Sequence, residues 1–275
     1  MNNDFPIGVF DSGVGGLSVL KHLVRIMPNE RYIYLGDTAR VPYGNKSPET
    51  VQQYSQQCAQ FLLSHQVKVV IIACNTASAV ALEAVRQISP VPVIGVIQPS
   101  AEAALRATKN GTIGIIGTRA TVGSNAYAHE IQTLTTTEHI NVVGQACPLF
   151  VPLAEEGWIA HPATRAIAEE YMKPLKAENV DTLVLGCTHY PLLTETLQLA
   201  MPGVTLIDPG EHAAEVTRRV LTTKHALAHT QEIPSTRIDY YVTDIPATFP
   251  QVAKQFLGFD VPMPLLVSIE QLGRL

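Results

Sequence analysis

Short apolar runs and longer runs with helical spacing alternate along this chain. Residues 6–10 are an apolar run that ends at a glycine-rich turn, and Leu17, Leu20 and Leu23 then repeat with the spacing of one helical face. This succession predicts a strand followed by a helix. The same pattern predicts strands at residues 31–35, 67–73, 92–96, 112–116, 140–145 and 182–185.

Helical segments lie between these strands. Ser47 and Pro48 fit the N-cap and the first position of a second helix, and residues 125–134 fit a later one. The β-branched run at residues 67–73 is typical of a strand that is buried on both faces. The chain is therefore predicted to be an α/β protein with mostly parallel sheets covered by helices on both sides.

The pattern restarts near the middle of the chain. Residues 7–10 resemble residues 113–116, and the segment around Cys74 resembles the segment around Cys187 at a similar spacing. We expect two similar α/β units related by a pseudo-two-fold axis, with the active site in the cleft between them. The predicted domains are residues 1–98 plus 208–275 and residues 99–207. The tail, which includes a strand predicted at residues 237–242, is too short for its own core and is expected to pack on the first unit.

Composition narrows the class of protein. The 275 residues are 46% hydrophobic and 16% charged, with a formal net charge of −5. No basic excess suggests a nucleic-acid surface, and no apolar run is long enough to span a bilayer. No secretory signal is evident at the start, so we expect a cytoplasmic protein without membrane or nucleic-acid partners. The dispersed cysteines indicate free thiols rather than a disulfide framework.

Cys74 and Cys187 are the strongest candidates for chemistry. Each follows a predicted buried strand and precedes a helical pattern, which places both at the edge of a sheet where ligands bind in α/β proteins. The positive end of a helix favours a thiolate, so we expect both thiols to have pKa values below the free value of ~8.5. Either cysteine alone is more simply explained as a small buried residue, but two in matching contexts favour function.

A pair of thiols suits the inversion of a carbon centre. One group removes a proton from one face while the other supplies a proton to the opposite face, and the two exchange roles in the reverse reaction. A metal site with Cys187 and His189 as ligands is the competing interpretation. It lacks the paired spacing of zinc sites.

Several polar residues near these cysteines could hold a small ligand. The turn from Asp11 to Gly16 matches neither nucleotide-binding glycine motif, but Asp11 and Ser12 could contact an ammonium group or cap a helix. The hydroxyl and amide groups that could hold a carboxylate, with helix capping as the alternative for each, belong to Asn75, Thr76, Thr118, Thr121 and Thr188. Residues 42–44 indicate a turn, and His189 could orient a thiol. Glu155 would ordinarily end a helix in solvent.

The motifs together resemble those of glutamate racemases. The resemblance spans about residues 5 to 220 and rests on DSGVGGL from Asp11, YLGDTARVPYGNKS from Tyr34, CNTAS from Cys74, GIIGTRATV from Gly114, PLFVPLAEEGW from Pro148 and GCTHYPLL from Gly186. It implies an isomerase of the two-unit fold that interconverts L- and D-glutamate without pyridoxal phosphate, metal or other cofactor. The product would feed peptidoglycan synthesis, and the resemblance is compatible with a homodimer.

The resemblance also implies residue roles. Cys74 matches the thiol that deprotonates D-glutamate and Cys187 the thiol that acts on L-glutamate, while Asp11 and His189 match the groups that assist them, and Glu155 falls at a third acidic position. The matching substrate-holding positions are Asp11, Ser12, Tyr43, Gly44, Asn75, Thr76, Thr118, Thr121, Thr188 and His189. The chain begins almost at the first strand, so dependence on a cell-wall precursor as activator is not expected.

Two alternatives remain open at this point. An aspartate racemase would use the same pair of thiols, because pocket shape decides which side-chain length is accepted. A two-lobed protein that binds a small amino acid without catalysis would have a similar outline, but it would not need two thiols in matched positions.

Overall fold

The computed structural model describes residues 3–135, 140–228 and 238–274. These residues form two β-sheets, and every pair of neighbouring strands in them is parallel. The strands are β1 Ile7–Asp11, β2 Tyr32–Gly36, β3 Val69–Ile72, β4 Val93–Gly95, β5 Thr112–Gly117, β6 Asn141–Ala146, β7 Thr182–Gly186, β8 Thr205–Ile207, β9 Ile238–Val242 and β10 Leu265–Leu266. The predicted α/β class with parallel sheets is confirmed.

Helices separate the strands. The α-helices are α1 Leu17–Ile26, α2 Pro48–Ser64, α3 Asn75–Ile88, α4 Ile97–Ala107, α5 Arg119–Gly123, α6 Ala126–Leu134, α7 Phe150–Glu155, α8 Pro162–Ala177, α9 Thr194–Ala200, α10 Pro209–Thr223, α11 Phe249–Leu257 and α12 Ile269–Leu272. Three short 3₁₀ helices cover Thr38–Arg40, Tyr43–Asn45 and Tyr190–Leu193. As predicted, Ser47 caps α2 by accepting a hydrogen bond from the Thr50 backbone, and Pro48 takes the first position.

The first sheet has the strand order β10-β9-β2-β1-β3-β4. Helices α1, α10 and α11 cover one face, and α2 and α3 cover the other. Successive side chains of a strand point to opposite faces, so Val9 joins the α1 side of the core and Phe10 the α2 side. Both faces therefore need apolar residues, which explains why these strands are continuous apolar runs.

The second sheet has the order β6-β5-β7-β8. Helices α8 and α9 pack on one face, and α4 and α6 pack on the other. The helix predicted at residues 125–134 begins at Ala126, because Asn125 takes a left-handed conformation with φ of 54° and separates α5 from α6.

The tail after residue 208 packs against the first sheet. Helix α10 contacts α1, and β9 extends the sheet beside β2. The strand predicted at residues 237–242 is present from Ile238, and residue 237 lies outside the described residues. The division into domains 1–98 plus 208–275 and 99–207 stays a prediction, and its first boundary falls within the first turn of α4.

Among the described helices, none combines the length with the apolar character that a membrane crossing requires.

Candidate active site

Cys74 lies between the end of β3 and the start of α3. It is the N-cap residue of α3, and its sulfur accepts a hydrogen bond of 3.4 Å from the Ala77 backbone N–H. Its thiol donates to Ser12 Oγ at 3.5 Å. The residue is 5% exposed and lines a cavity. The predicted position at a strand end and a helix N-terminus is confirmed for this cysteine.

Cys187 follows the carboxyl end of β7, an inner strand of the second sheet, and is 6% exposed. It is not an α-helix cap, because the chain continues into the 3₁₀ helix Tyr190–Leu193 and reaches α9 only at Thr194. Pro191 accounts for the difference, because it has no backbone N–H to donate to the Cys187 carbonyl as an α-helix capped by Cys187 would require, and that carbonyl accepts from Tyr190 instead. The Cys187 sulfur lies 4.0 Å from His189 Nδ1.

Both sulfurs face one cavity of about 660 Å³, a volume in the usual range for small-molecule sites. The lining includes most of the residues singled out in the sequence: Ser12, Tyr43, Gly44, Cys74, Asn75, Thr76, Thr118, Glu155, Cys187, Thr188 and His189. Asp11 and Thr121 are buried directly behind this lining. The cavity therefore lies between the two sheets and receives side chains from both.

Asp11 provides the charge next to Cys74. Its Oδ2 accepts a 3.0 Å hydrogen bond from Gly13, and its Oδ1 finds no hydrogen-bond partner among the described residues. Neither Asp11 nor Ser12 caps α1, whose N-cap is Gly16 without a side-chain hydrogen bond. Burial raises the pKa of the Asp11 carboxyl.

The prediction of a lowered pKa is wrong for Cys74. Burial, followed by the negative charge of Asp11, raises the pKa of its thiol to about 12. The N–H of Ala77 and the hydroxyl of Ser12 act in the opposite direction but are outweighed. The desolvation of a buried thiolate is therefore stronger here than the positive end of α3.

His189 provides the charge next to Cys187. Its Nε2 lies 3.0 Å from Glu155 Oε1, and its Nδ1 faces Cys187. Burial alone would lower the pKa of the imidazole, but the hydrogen bonds and negative charges of Cys187 and Glu155 raise it to about 10. At neutral pH the ring is therefore a cation beside the sulfur.

Three hydroxyl groups form a triangle where the two sheets meet. Thr76 Oγ1 lies 3.0 Å from Thr118 Oγ1 and 3.1 Å from Thr121 Oγ1, and the last two are 3.0 Å apart. Thr118 also caps α5, so the capping alternative holds for it as well. Nearby, Tyr127 donates a 2.6 Å hydrogen bond to the side-chain oxygen of Asn75. Neutral hydroxyl and amide groups thus form the wall that joins the two units.

Tyr43 lines the cavity, but its hydroxyl group is bound to a buried carboxylate that the sequence did not indicate. Its hydroxyl donates a hydrogen bond to the buried carboxylate of Asp37, away from the cavity. Arg40 donates to the same carboxylate at 2.7 Å and 2.9 Å, and Thr243 donates to it at 2.9 Å. Asp37 was missed as a residue that supports the site, because nothing local in the sequence shows that it is buried.

The glycine-rich turn packs directly on the Cys187 side. A Cβ atom placed on Gly15 would lie 2.3 Å from Thr188 Oγ1 and 2.5 Å from His189 Cε1. No side chain fits in that space. The turn therefore brings backbone of the first unit against a side chain of the second.

The tail after residue 208 forms part of the cavity wall, although its sequence contains no recognisable motif after about residue 225. Cavity-lining residues that sequence reasoning missed are Thr38, Val41, Pro42, Asn45, Arg119, Pro148, Val151, Pro152, Pro246, Thr248, Phe249, Gln251 and Val252. The apolar spacing of residues 249–257 signals a helix with one buried face, but not what that face covers. Across the described ranges, no group of three or more His, Cys, Asp or Glu side chains is arranged to hold a metal ion.

The chain is similar to proteins of one family over almost its whole length. The model of the Asp/Glu/Hydantoin racemase family matches residues 7–217. A glutamate racemase of Syntrophus aciditrophicus is 50% identical over 258 residues, which are 94% of each protein. The glutamate racemase of Francisella tularensis, solved in complex with D-glutamate, has a TM-score of 0.90 and 41% identity, covering 97% of this chain and 98% of that one. A glutamate racemase isoform of Bacillus anthracis has a TM-score of 0.90 and 35% identity, covering 98% and 99%.

Proposed function

The chain belongs to the Asp/Glu/hydantoin racemase family and is a racemase, and on that premise we propose that it interconverts L- and D-glutamate through Cys74 and Cys187. One observation carries the two-thiol proposal: both sulfurs line the same cavity, from opposite sheets. A site of this shape lets one amino acid lie between the two thiols. We propose that no cofactor takes part in the proton transfer.

The proposed reaction needs only the two sulfurs and the substrate. With L-glutamate, the Cys187 thiolate takes the α-hydrogen as a proton and becomes a thiol, while the electron pair of the C–H bond stays on the substrate and spreads into its carboxylate. The Cys74 thiol then gives its proton to the opposite face and becomes a thiolate. D-glutamate follows the same steps in reverse, so each cysteine is base in one direction and acid in the other.

Glutamate as substrate is supported by the relatives and by the lining. The full-length similarity is to proteins named glutamate racemase, one of them solved with D-glutamate. Ser12, Thr76 and Thr118 line the cavity and carry hydroxyl groups, which suit the two carboxylates of glutamate. Arg119 also lines the cavity and adds a positive charge. Measuring whether the purified protein also racemises aspartate tests directly whether the cavity accepts the shorter amino acid.

We further propose supporting roles for the charged neighbours. His189, held by Glu155, stabilises negative charge on Cys187, and Asp11 acts on the Cys74 side from behind the lining. The D-glutamate that is formed would supply peptidoglycan synthesis in the cytoplasm. Binding without catalysis is the remaining alternative, and it predicts that the α-hydrogen of bound glutamate never exchanges with solvent.

Circular dichroism of each enantiomer with the purified protein tests the activity. We expect both L- and D-glutamate to racemise without added cofactor, and the product formed in deuterated water to carry deuterium at the α-carbon, because the second thiol draws its proton from solvent. A folded protein that racemises neither isomer would end the proposal.

Single substitutions test the two sulfurs separately. Cys74→Ser and Cys187→Ser should each lose racemisation, because a serine hydroxyl is a far weaker acid than a thiol. Cys58→Ser is the matched control, since Cys58 is a buried free cysteine in α2 that does not line the cavity, and serine keeps a polar atom facing Arg40. A serine variant that keeps the wild-type rate removes that cysteine from the mechanism.

A further inference from the structure

Helix α11 belongs to the first unit but reaches the histidine of the second. It packs on α1 through residues of the first core, and Phe249, Gln251 and Val252 on it line the cavity. Phe256 lies one turn beyond Val252 on the same helix and is 2% exposed. The helix therefore joins the wall of the site to a point behind His189.

Phe256 contacts the His189 ring from the side of α11. The two ring centroids are 5.4 Å apart and their planes are inclined at 85°, an edge-to-face arrangement that aromatic pairs favour. A ring held in this way has a restricted tilt. The tilt matters because Nδ1 of His189 faces the Cys187 sulfur while Nε2 faces Glu155.

The polar partners of His189 do not fix the ring by themselves. Glu155 has a side chain that is 46% exposed, and exposed ion pairs hold geometry weakly. The Cys187 contact is long at 4.0 Å. Helix α11 also borders the segment that follows Glu155, where a Cβ on Gly157 would lie 3.2 Å from the Gln255 side chain. Helix α11 thus contacts the His189 ring through Phe256 and borders the turn that follows Glu155.

We propose that Phe256 is a positioning residue that acts through His189 mainly on the Cys187 step. This inference rests on the proposed function and gives the C-terminal segment a role in it. The Cys74 step draws directly on Asp11 and Ser12, at and just after the end of β1, and His189 reaches Asp11 only through its charge, so loss of the Phe256 ring should affect that step much less.

Deuterium isotope effects separate the two steps. With α-deuterated L-glutamate, Cys187 breaks the C–D bond. If loss of the Phe256 ring slows proton transfer by Cys187, this cleavage becomes more rate-limiting and the isotope effect on kcat/KM rises. With α-deuterated D-glutamate, Cys74 breaks the C–D bond and the slowed step is the later proton delivery from Cys187, so the isotope effect falls. Opposite changes for the two enantiomers are the signature of this proposal.

Phe256→Leu keeps an apolar residue and removes the ring. We expect a loss of about tenfold in kcat/KM, since small misplacements of a catalytic group are costly. Phe256→Ala should have a larger effect of the same kind. Leu257→Ala is the control, because Leu257 lies on the same helix in the same core and is 3% exposed. It should lower thermal stability without separating the two isotope effects.

The outcomes are distinct. Diverging isotope effects in Phe256→Leu but not in Leu257→Ala support the inference. Equal isotope effects in the wild-type protein and both variants overturn it, while leaving the proposed function in place if the wild-type protein racemises. A wild-type protein that racemises neither enantiomer overturns the proposed function first and this inference with it.

Discussion

The Cys74 half and the Cys187 half of the cavity share a backbone plan but differ in charge. Each cysteine follows an inner strand of its sheet, β3 in one and β7 in the other. The carboxylate of Asp11 neighbours Cys74, whereas the imidazolium of His189 neighbours Cys187. The repeated fold therefore places the two sulfurs at corresponding strand ends, and the side chains next to them give the two halves opposite charges.

This difference in charge shows that a reaction between mirror images does not need a symmetric catalyst. Two enantiomers in water have equal free energies, so the equilibrium constant is one whatever the enzyme does. The raised pKa of Cys74 keeps a proton on that sulfur, and the raised pKa of His189 places a positive charge beside Cys187. The two halves of the cavity thus differ in charge although the two enantiomers are equal in free energy.

Filling the space at Gly15 should have the largest effect on activity, because it displaces the Cys187 half of the cavity. Gly15→Ala would press a methyl group against Thr188 and His189 and displace the Cys187 half. We expect kcat/KM to fall roughly 100-fold, the scale of loss when a catalytic group moves by about 1 Å. Steady-state kinetics by circular dichroism measures the loss.

The control for Gly15→Ala is Gly123→Ala. A Cβ on Gly123 meets no atom of the described chain within 4 Å, and alanine favours the helix in which it lies. Its activity should stay at the wild-type rate. Wild-type activity in Gly15→Ala as well would show that the tight packing of the turn on His189 is not needed.

Removing the charge of Asp11 should reduce the electrostatic difference between the Cys74 half and the Cys187 half. Asp11→Asn keeps the shape and removes a negative charge that raises the pKa of Cys74, so that pKa should fall, although burial still holds it up. Each unit of fall gives about tenfold more thiolate at a fixed pH below the pKa. The rate at which iodoacetamide labels Cys74, followed by mass spectrometry, reports this fraction.

The wild-type protein labelled in parallel under the same conditions is the reference. Cys187 does not serve this purpose, because Asp11 also acts on His189 beside it. An unchanged or slower labelling of Cys74 in Asp11→Asn would mean that the carboxylate does not control this thiol.

The smallest effect is expected at Glu155. Glu155→Gln removes one of the groups that raise the pKa of His189 to about 10, so that pKa should fall and activity should be lost at a lower pH on the alkaline side. Cys187 still faces the ring, and Asp11 still interacts with it through its charge. At neutral pH we expect only a two- to threefold change, because about half of the Glu155 side chain is exposed and screened.

The pH–rate profile of the variant is compared with that of the wild-type protein, since the substrate ammonium group titrates equally in both. Glu156→Gln removes the same charge one residue further along and should leave the alkaline limb in place. An alkaline limb that does not move in Glu155→Gln would remove Glu155 from the control of His189.

Much of the fold follows from local patterns in the sequence. The strands predicted at residues 112–116 and 182–185 are present as Thr112–Gly117 and Thr182–Gly186, because buried parallel strands are continuous apolar runs. The resemblance to glutamate racemases is confirmed by the family match and the relatives. The positions of Cys74 and Cys187 at strand ends followed from the same reasoning.

The rest depends on contacts between distant residues. Whether a helix N-terminus lowers the pKa of Cys74 is decided by how completely the folded chain excludes water, which residues next to it do not reveal. The wall contributed by α11 comes from a segment far along the chain from both cysteines. Its apolar spacing is visible, but nothing local identifies His189 as its neighbour.

The order of strands also has a consequence for how the protein is made. The strands of the second sheet, β5 to β8, leave the ribosome one after another and can pair as they appear. Strand β2 of the first sheet instead has an unpaired edge until β9 is synthesised, and such edges invite association between nascent chains. The unit whose translation starts first is thus the last to close.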